Sequence, residues 1–157
     1  MPSILFVCTG NICRSPAAEG IARKLLPKEK KKKIDSAGTG AWHRGQPPDA
    51  NMRAVAKERG FNIDDLRARQ VSRQDFNDFD LIIGMDSEHI KALEYMKREY
   101  GGKAEVRKFL EQDVPDPYYG GIEGFYKVFD MIRDGVEKLF MVQTNETSVR
   151  FSDIGVR

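Results

Sequence analysis

Two cysteines and an arginine lie close together near the start of the chain. Cys8, Cys13 and Arg14 follow an apolar run at residues 3–7, and Ser15 and a proline come directly after them. A short apolar run is typical of a buried strand, and proline suits the first turn of a helix. Backbone N–H groups at a helix start bind anions, and a guanidinium matches phosphate oxygens. The segment therefore combines a thiol nucleophile with a binding site for a phosphate-like anion.

The loop between this strand and helix is the predicted phosphate-binding site. The donors that hold an anion also stabilise a thiolate, so Cys8 is the expected nucleophile and Arg14 its charged partner. Gly10 and Asn11 tolerate the backbone angles that turn N–H groups inward. A single cysteine after a strand is usually structural, but the pattern Cys-x5-Arg-Ser-Pro favours catalysis. The predicted anion-binding residues are Thr9, Gly10, Asn11, Ile12, Cys13, Arg14 and Ser15.

A second segment offers an acid for the leaving group. Cleavage of a phosphate monoester needs a proton for the departing oxygen, and Asp116 can supply it. Prolines on both sides stiffen the backbone around this aspartate, and Tyr118 and Tyr119 follow as an aromatic wall. Because an Asp-Pro pair is usually only a turn, this signal is weak by itself.

Length and composition limit the class of protein. The 157 residues, 40% of them hydrophobic, suffice for one domain with its own core. The net charge of +2 depends on residues 28–33, where five lysines and one glutamate give +4, and this argues against nucleic-acid binding.

We find no apolar run that could span a membrane and no export signal, and we therefore expect a cytoplasmic protein. The cysteines, His43 and His89 lack zinc-site spacing, so we expect neither metal nor cofactor.

Apolar runs alternate with amphipathic stretches, which predicts an α/β fold with a Rossmann-like parallel sheet and helices on both faces. The predicted strands are 3–7, 34–38, 80–85 and 105–109, and the predicted helices are 16–26, 47–59, 74–76, 87–99 and 122–141. We expect Ser15 to cap the first helix, Asp86 to be a helix cap or a loop anchor, and residues 28–33 to form a solvated loop. The predicted domain covers 1–141, and 142–157 is an extension of unknown role. Ligands bind beyond the carboxyl ends of parallel strands, where the segment from Cys8 begins.

The motifs together resemble the low-molecular-weight protein tyrosine phosphatases. The similarity begins with VCTGNICRSP at 7–16 and ends with DPYYG at 116–120; between them it includes residues 35–39, 42–45, 48–49 and 85–86. The first and last motifs, in this order and at this separation, are highly specific. The resemblance implies the phosphotyrosine protein phosphatase I-like fold with a four-stranded parallel sheet. It also implies hydrolysis of phosphotyrosine-containing proteins without a metal or cofactor.

The same resemblance assigns roles to individual residues. Cys8 is the expected nucleophile that forms a phosphocysteine, Arg14 clamps the transition state, and Asp116 is the general acid and then the general base. The residues expected to support the loop are Asn11, Ser15 and Ser36. The residues expected to wall the substrate cleft are Trp42, Tyr118 and Tyr119. Cys13 corresponds to the family's second thiol, which forms a reversible disulfide with Cys8 under oxidation.

Three alternatives stay open from the sequence alone. A related arsenate reductase shares the fold and first loop but needs a third cysteine, and this chain has two. Related protein-arginine phosphatases typically have threonine where this chain has Ile12, and they lack the paired tyrosines. A phosphate-binding or redox-sensing module needs no full catalytic set.

His43 lies either at the cleft rim or on the surface, and His89 is expected to be structural. The sequence indicates neither the protein substrate nor the oligomeric state.

Overall fold

The structure of the chain, a computed structural model, describes residues 1–146. Strands and helices alternate along them in this order: β1 Ile4–Cys8, α1 Arg14–Leu25, β2 Ile34–Gly38, α2 Ala50–Glu58, α3 Asp75–Asp78, β3 Leu81–Gly84, α4 Ser87–Tyr100, β4 Glu105–Lys108 and α5 Ile122–Glu146. The four strands form one parallel sheet in the order β2-β1-β3-β4. The predicted fold class is therefore confirmed.

The central strand β1 is buried on both faces of the sheet. Side chains alternate between the faces of a strand, so Phe6 packs with α1 and α5 while Val7 packs toward α3 and α4. The larger core lies on the α1, α2 and α5 side and includes Phe125 and Phe129. This two-sided packing fixes the position of Cys8, the last residue of β1, at the carboxyl edge of the sheet.

The start of α1 differs from the sequence prediction. The helix begins at Arg14, and its N-cap residue is Cys13, which makes no side-chain cap bond. Ser15 is therefore not the cap, because its hydroxyl contacts the thiol of Cys8 instead. The predicted cap of α4 is confirmed: the Asp86 carboxylate accepts the His89 backbone N–H, and the His89 ring accepts that of Asp86.

Two other segments also differ from expectation. Residues Lys28–Lys33 form a short 3-10 helix rather than an irregular loop. Helix α5 continues five residues past the predicted end at Met141, because the sequence between 142 and 146 contains no glycine or proline to stop it. The rest of the predicted extension, residues 147–157, lies outside the described residues. No helix within residues 1–146 is long and apolar enough to cross a membrane.

Candidate active site

A pocket of about 340 Å³ opens where β1 ends and α1 begins. Its wall combines the loop after β1, the segment after β2 and the segment before α5. The lining residues are Cys8, Thr9, Gly10, Ile12, Cys13, Arg14, Trp42, His43, Asp116, Tyr118 and Tyr119. The structure thus brings the predicted nucleophile, clamp and acid together, although up to 108 residues separate them in sequence. Asn11 and Ser15, which were predicted among the anion-binding residues, do not line the pocket, and they are buried together with Ser36.

Asn11 determines the shape of the loop. Its φ of +58° is the one positive value at a non-glycine residue within residues 1–146. A single left-handed residue turns neighbouring N–H groups to the same side, which makes an anion-binding concavity. The buried Asn11 amide donates to the hydroxyls of Ser15 at 2.8 Å and Ser36 at 3.0 Å. Its oxygen accepts the Arg69 backbone N–H at 3.0 Å. All polar groups of the Asn11 side chain therefore hold this conformation.

Gly10 is needed for a different reason from the one expected. Its φ is not among the positive ones, so unusual backbone angles do not explain it. A Cβ at this position would lie 2.8 Å from Cδ2 of His43, closer than real contacts allow. Gly10 therefore lets the His43 ring pack directly against the loop. This places His43 in the pocket wall rather than on an outer surface.

The thiol of Cys8 is buried and has two hydrogen-bond donors beside it. Oγ of Ser15 lies 2.9 Å from Sγ, and the Ser15 backbone N–H donates to Sγ at 3.4 Å. The Ser15 hydroxyl accepts from Asn11, and its single hydrogen has two acceptors within reach, Sγ of Cys8 at 2.9 Å and the Ala37 carbonyl oxygen at 3.4 Å. The contact with Sγ is the shorter of the two. Ser15 therefore fixes the position of the Cys8 sulfur through its backbone and its side chain.

Arg14 is held on one side and open on the other. Only 2% of the Arg14 surface is exposed. Nη1 donates to the Asp86 carboxylate at 2.8 Å and to the Val114 carbonyl at 2.9 Å. Nη2 donates to Oγ1 of Thr9 at 3.2 Å and lies 3.5 Å from a carboxylate oxygen of Asp116. Nε is the one buried side-chain nitrogen or oxygen of the described residues that has no hydrogen-bond partner. An oxyanion in the pocket would satisfy it.

Hydrogen bonds at Asp113 and at Asp116 hold the segment that carries the predicted acid. One carboxylate oxygen of Asp116 accepts the Tyr118 backbone N–H at 3.0 Å, and the other faces Arg14. Three residues earlier, Asp113 accepts from the backbone N–H of Ser87 at 3.1 Å and from its hydroxyl at 2.9 Å. These contacts tie the segment to the start of α4. The Asp116 carboxyl therefore stands over the pocket in a defined position while it stays partly exposed.

The rim of the pocket is aromatic. Trp42 is 72% exposed and lies flat against Gly40, where a Cβ would overlap its ring. The rings of Tyr118 and Tyr119 meet edge to face with centroids 4.9 Å apart, and His43 lies 5.9 Å from Tyr118. Exposed aromatic faces around a polar floor suit a flat aromatic group that carries a phosphate.

Sequence reasoning missed a buried carboxylate behind the loop. Glu19 is 5% exposed, accepts the Ser36 hydroxyl at 2.7 Å and pairs with Arg23 at 3.3 Å. Burial raises the pKa of Glu19 to about 7, although the hydrogen bond from Ser36 opposes this. Glu19 lies four residues after Ser15 on α1, so both face the same side of the helix. The four-residue spacing between Ser15 and Glu19 could have indicated from the sequence that Glu19 faces the loop.

Asp86 was predicted as a helix cap or a loop anchor, and it is both, because it caps α4 and also holds Arg14. Its second oxygen accepts Nη1 of Arg14, and this contact and the cap together lower the pKa of Asp86 against the effect of burial. Asp86 follows β3, the neighbour of β1 in the sheet, and this position could have indicated the contact. Within residues 1–146 we find no group of three acidic, histidine or cysteine side chains that could hold a metal.

Comparison with known proteins now adds to this geometry. The family described as low molecular weight phosphotyrosine protein phosphatase matches residues 3–150. The Bacillus subtilis low molecular weight protein-tyrosine-phosphatase YfkJ is 45% identical over 149 residues, which are 88% of this chain and 94% of the relative. The chain belongs to the low-molecular-weight phosphotyrosine protein phosphatase family, a family of hydrolases. This confirms the family that the motifs predicted.

Solved structures agree with this assignment. The crystal structure of a protein tyrosine phosphatase from Entamoeba histolytica, with Hepes in its active site, has a TM-score of 0.81 and 38% identity, and covers 95% of this chain and 100% of that one. The crystal structure of a Drosophila arginine phosphatase has a TM-score of 0.83 and 30% identity, and it covers 91% of this chain and 98% of that one. The shared fold therefore accommodates more than one phosphorylated amino acid.

Proposed function

We propose that this protein hydrolyses phosphotyrosine in protein substrates through a phosphocysteine intermediate. The observation that carries the proposal is the buried Arg14 guanidinium, whose Nε lacks a partner beside the thiol of Cys8. A buried cation with one open edge binds an oxyanion, and the adjacent sulfur can attack it. Asp116 on the opposite side of the pocket supplies the proton that the leaving oxygen requires.

In the first step the Cys8 thiolate attacks phosphorus in line with the departing phenolic oxygen. The S–P bond forms as the P–O bond breaks, and Asp116 transfers its proton to the phenolic oxygen. Charge on the equatorial oxygens meets Arg14 and the N–H groups of the loop, which are fixed before the reaction begins. Preorganised donors of this kind are typically worth about 3 kcal/mol each to the barrier.

In the second step water cleaves the phosphocysteine. The Asp116 carboxylate accepts a proton from the attacking water as the P–O bond forms and the S–P bond breaks. The electron pair of the broken bond returns to sulfur, which lies beside the hydroxyl and the backbone N–H of Ser15. Inorganic phosphate leaves, and the enzyme regains its starting form.

The pocket walls support an aryl phosphate as substrate. Trp42 and Tyr118 offer flat faces to the phenol ring, and the shorter phosphoserine does not reach them from the same floor. Phosphoarginine is the second candidate, favoured by the similarity to the Drosophila arginine phosphatase. Its guanidinium carries N–H donors that need acceptors in the pocket, whereas Ile12 offers only an apolar surface. This favours phosphotyrosine.

The role of Asp116 predicts a dependence on the leaving group. Asp116→Asn should lower kcat for phenyl phosphate by about 10²–10³-fold, because the asparagine cannot donate the proton. The loss should be smaller for p-nitrophenyl phosphate, whose leaving group departs as a stable anion. Steady-state rates between pH 5 and 8 measure both effects. The matched control is Asp130→Asn, which removes a carboxylate on α5 that pairs with Arg59, and it should leave the rates unchanged. Equal losses for both substrates would exclude general acid catalysis by Asp116.

We further propose that Cys13 protects Cys8 from irreversible oxidation. Burial, followed by the nearby Asp49 and Cys8, raises the pKa of the Cys13 thiol, so Cys8 is the thiol that reacts first with peroxide. Peroxide converts the Cys8 thiolate to a sulfenic acid; the Cys13 sulfur then displaces its oxygen as water and forms the disulfide. Dithiothreitol should restore activity after peroxide in the wild type and fail to do so in Cys13→Ser. Equal recovery in both proteins would contradict this role.

The chemistry also supports a location and a class of partner. A catalytic thiol requires a reducing compartment, and we therefore propose that the protein acts in the cytoplasm on phosphotyrosine-containing proteins. The positive charge is concentrated in residues 28–33 rather than spread over a face, which does not support a nucleic acid as a partner.

A further inference from the structure

His89 is a buried imidazole that the mechanism above does not use. It lies in the first turn of α4 and is 2% exposed. Its Nδ1 accepts the backbone N–H of Asp86 at 3.1 Å. Oδ1 of Asp86 also lies 3.2 Å from Nδ1, but it already accepts the His89 backbone N–H at 3.0 Å. Because a backbone N–H can only donate, its bond to Nδ1 requires that Nδ1 carry no hydrogen, and the neutral ring then carries its hydrogen on Nε2. The helix cap therefore fixes the tautomer of His89.

The protonated Nε2 of His89 is directed at a residue of the phosphate-binding loop. It lies 2.9 Å from Oγ1 of Thr9, to which it donates. Nη2 of Arg14 donates to the same oxygen at 3.2 Å. A hydroxyl has two lone pairs and one hydrogen, so both acceptor positions of Thr9 are occupied by protein donors. Since Thr9 lines the pocket, its own hydrogen is left for an acceptor inside it.

We propose that His89 is a positioning residue that directs the Thr9 hydroxyl hydrogen toward a phosphoryl oxygen of the substrate. Thr9 then contributes a side-chain donor to the anion site, in addition to Arg14 and the backbone N–H groups. The proposal rests on the proposed phosphatase function, because it needs an oxyanion in the pocket. It gives a purpose to an otherwise costly arrangement, in which a histidine is buried beside an arginine.

The proposal requires that His89 stay neutral in the range where a phosphatase works. The charged groups that face it are Arg14 from α1, Asp86 at the start of α4, and Asp113 and Asp116 from the segment before α5. Burial and the Arg14 cation lower the pKa of His89 to about 4, although the three carboxylates oppose this. The contribution of His89 should therefore be constant from pH 5 to 8.

Two substitutions of His89 separate its two hydrogen bonds. An asparagine amide corresponds to the Nδ1 position, so His89→Asn keeps an acceptor for the helix cap but does not reach Thr9. A glutamine amide extends to the Nε2 position, so His89→Gln keeps a donor for Thr9. Both variants lose the ring, which makes each the stability control of the other. At the other end of the contact, Thr9→Val removes the hydroxyl and Thr9→Ser retains it.

The readouts are kcat and KM for p-nitrophenyl phosphate and the affinity for vanadate, a phosphate-like oxyanion. Thr9→Val should lower both kcat/KM and vanadate affinity by about 10–100-fold, the range for one hydrogen bond to a charged group. His89→Asn should lose about tenfold, and His89→Gln and Thr9→Ser should stay within about threefold of wild type. In the Thr9→Val background, His89→Asn should change neither quantity by more than about twofold, because the group through which it acts is gone.

Nitrogen-15 NMR of the wild-type ring provides an independent check. At pH 6.5 we expect a protonated Nε2 and an unprotonated Nδ1. A protonated Nδ1, equal losses in His89→Asn and His89→Gln, or additive losses in the double variant would each overturn the proposal. Vanadate binding keeps the test separate from the proposed function. If the wild type binds vanadate but hydrolyses no phosphotyrosine, the function fails while the His89–Thr9 arrangement is still tested.

Discussion

Replacement of Cys8 by serine should abolish turnover while the fold and the anion site remain. We expect kcat for p-nitrophenyl phosphate to fall by at least about 10⁴-fold, as when other covalent nucleophiles are removed. A serine hydroxyl stays protonated at neutral pH, and no general base lies within reach of this position in the described contacts. Rates under single-turnover conditions measure the loss directly.

A second property of Cys8→Ser distinguishes lost chemistry from lost structure. Its affinity for a phosphotyrosine peptide should stay within about threefold of the wild-type KM, because Arg14 and the loop are unchanged. Its thermal unfolding midpoint should also stay close to that of the wild type, since sulfur is replaced by a smaller oxygen beside Ser15. Acid quenching during turnover should trap protein-bound phosphate in the wild type alone. A Cys8→Ser protein with more than about 1% of wild-type activity would contradict covalent catalysis by this residue.

Replacement of Arg14 by lysine has the second largest expected effect. Lysine keeps the positive charge but loses the planar fork, and so cannot hold two phosphoryl oxygens while it also pairs with Asp86 and the Val114 carbonyl. We expect kcat to fall by about 10³-fold, comparable to the loss of other transition-state arginines. KM should change less, because charge alone still attracts the dianion.

Arg59→Lys is the matched control for this change. Arg59 also makes a two-point contact with a carboxylate, through Nε and Nη2 to Asp130 at 2.9 and 3.1 Å, but it lies outside the pocket lining. The same substitution there should alter stability slightly and leave kcat unchanged. Similar losses of kcat in both variants would show that general destabilisation, rather than the Arg14 clamp, explains the effect.

The fold could be predicted because its signals are local. Strands β1 and β3 are short apolar runs, and the longer helices start or end near a proline, aspartate or glycine that acts within a few residues. Asp49 illustrates this: it was expected at the start of α2, and its carboxylate accepts the N–H groups of Asn51 and Met52. The preference for right-handed crossovers fixes the hand of the connections between parallel strands, but it does not determine which strands are neighbours in the sheet.

The inner part of the site could be predicted only in outline. Motif spacing predicted Cys8, Arg14 and Asp116, and the resemblance predicted residues that support the loop, but the contacts made from distant parts of the chain were not predicted. Asp86 contacts Arg14 across 72 residues, and His89 contacts Thr9 across 80. Such contacts depend on which strands are neighbours in the sheet, and no local pattern encodes them. For Ser15 the local capping rule was wrong, whereas its contact with the Cys8 thiol agrees with the expectation that it supports the loop.

The most direct test of the proposed function is a comparison of three peptides of identical sequence that carry phosphotyrosine, phosphoserine or phosphoarginine. Wild-type protein should be assayed for phosphate release between pH 5 and 8, with Cys8→Ser as the blank. We predict that kcat/KM for the phosphotyrosine peptide exceeds that for either of the others by at least about 100-fold, the discrimination that a pocket shaped for one side chain provides. Faster release from the phosphoarginine peptide would contradict the role assigned to Ile12 and the paired tyrosines.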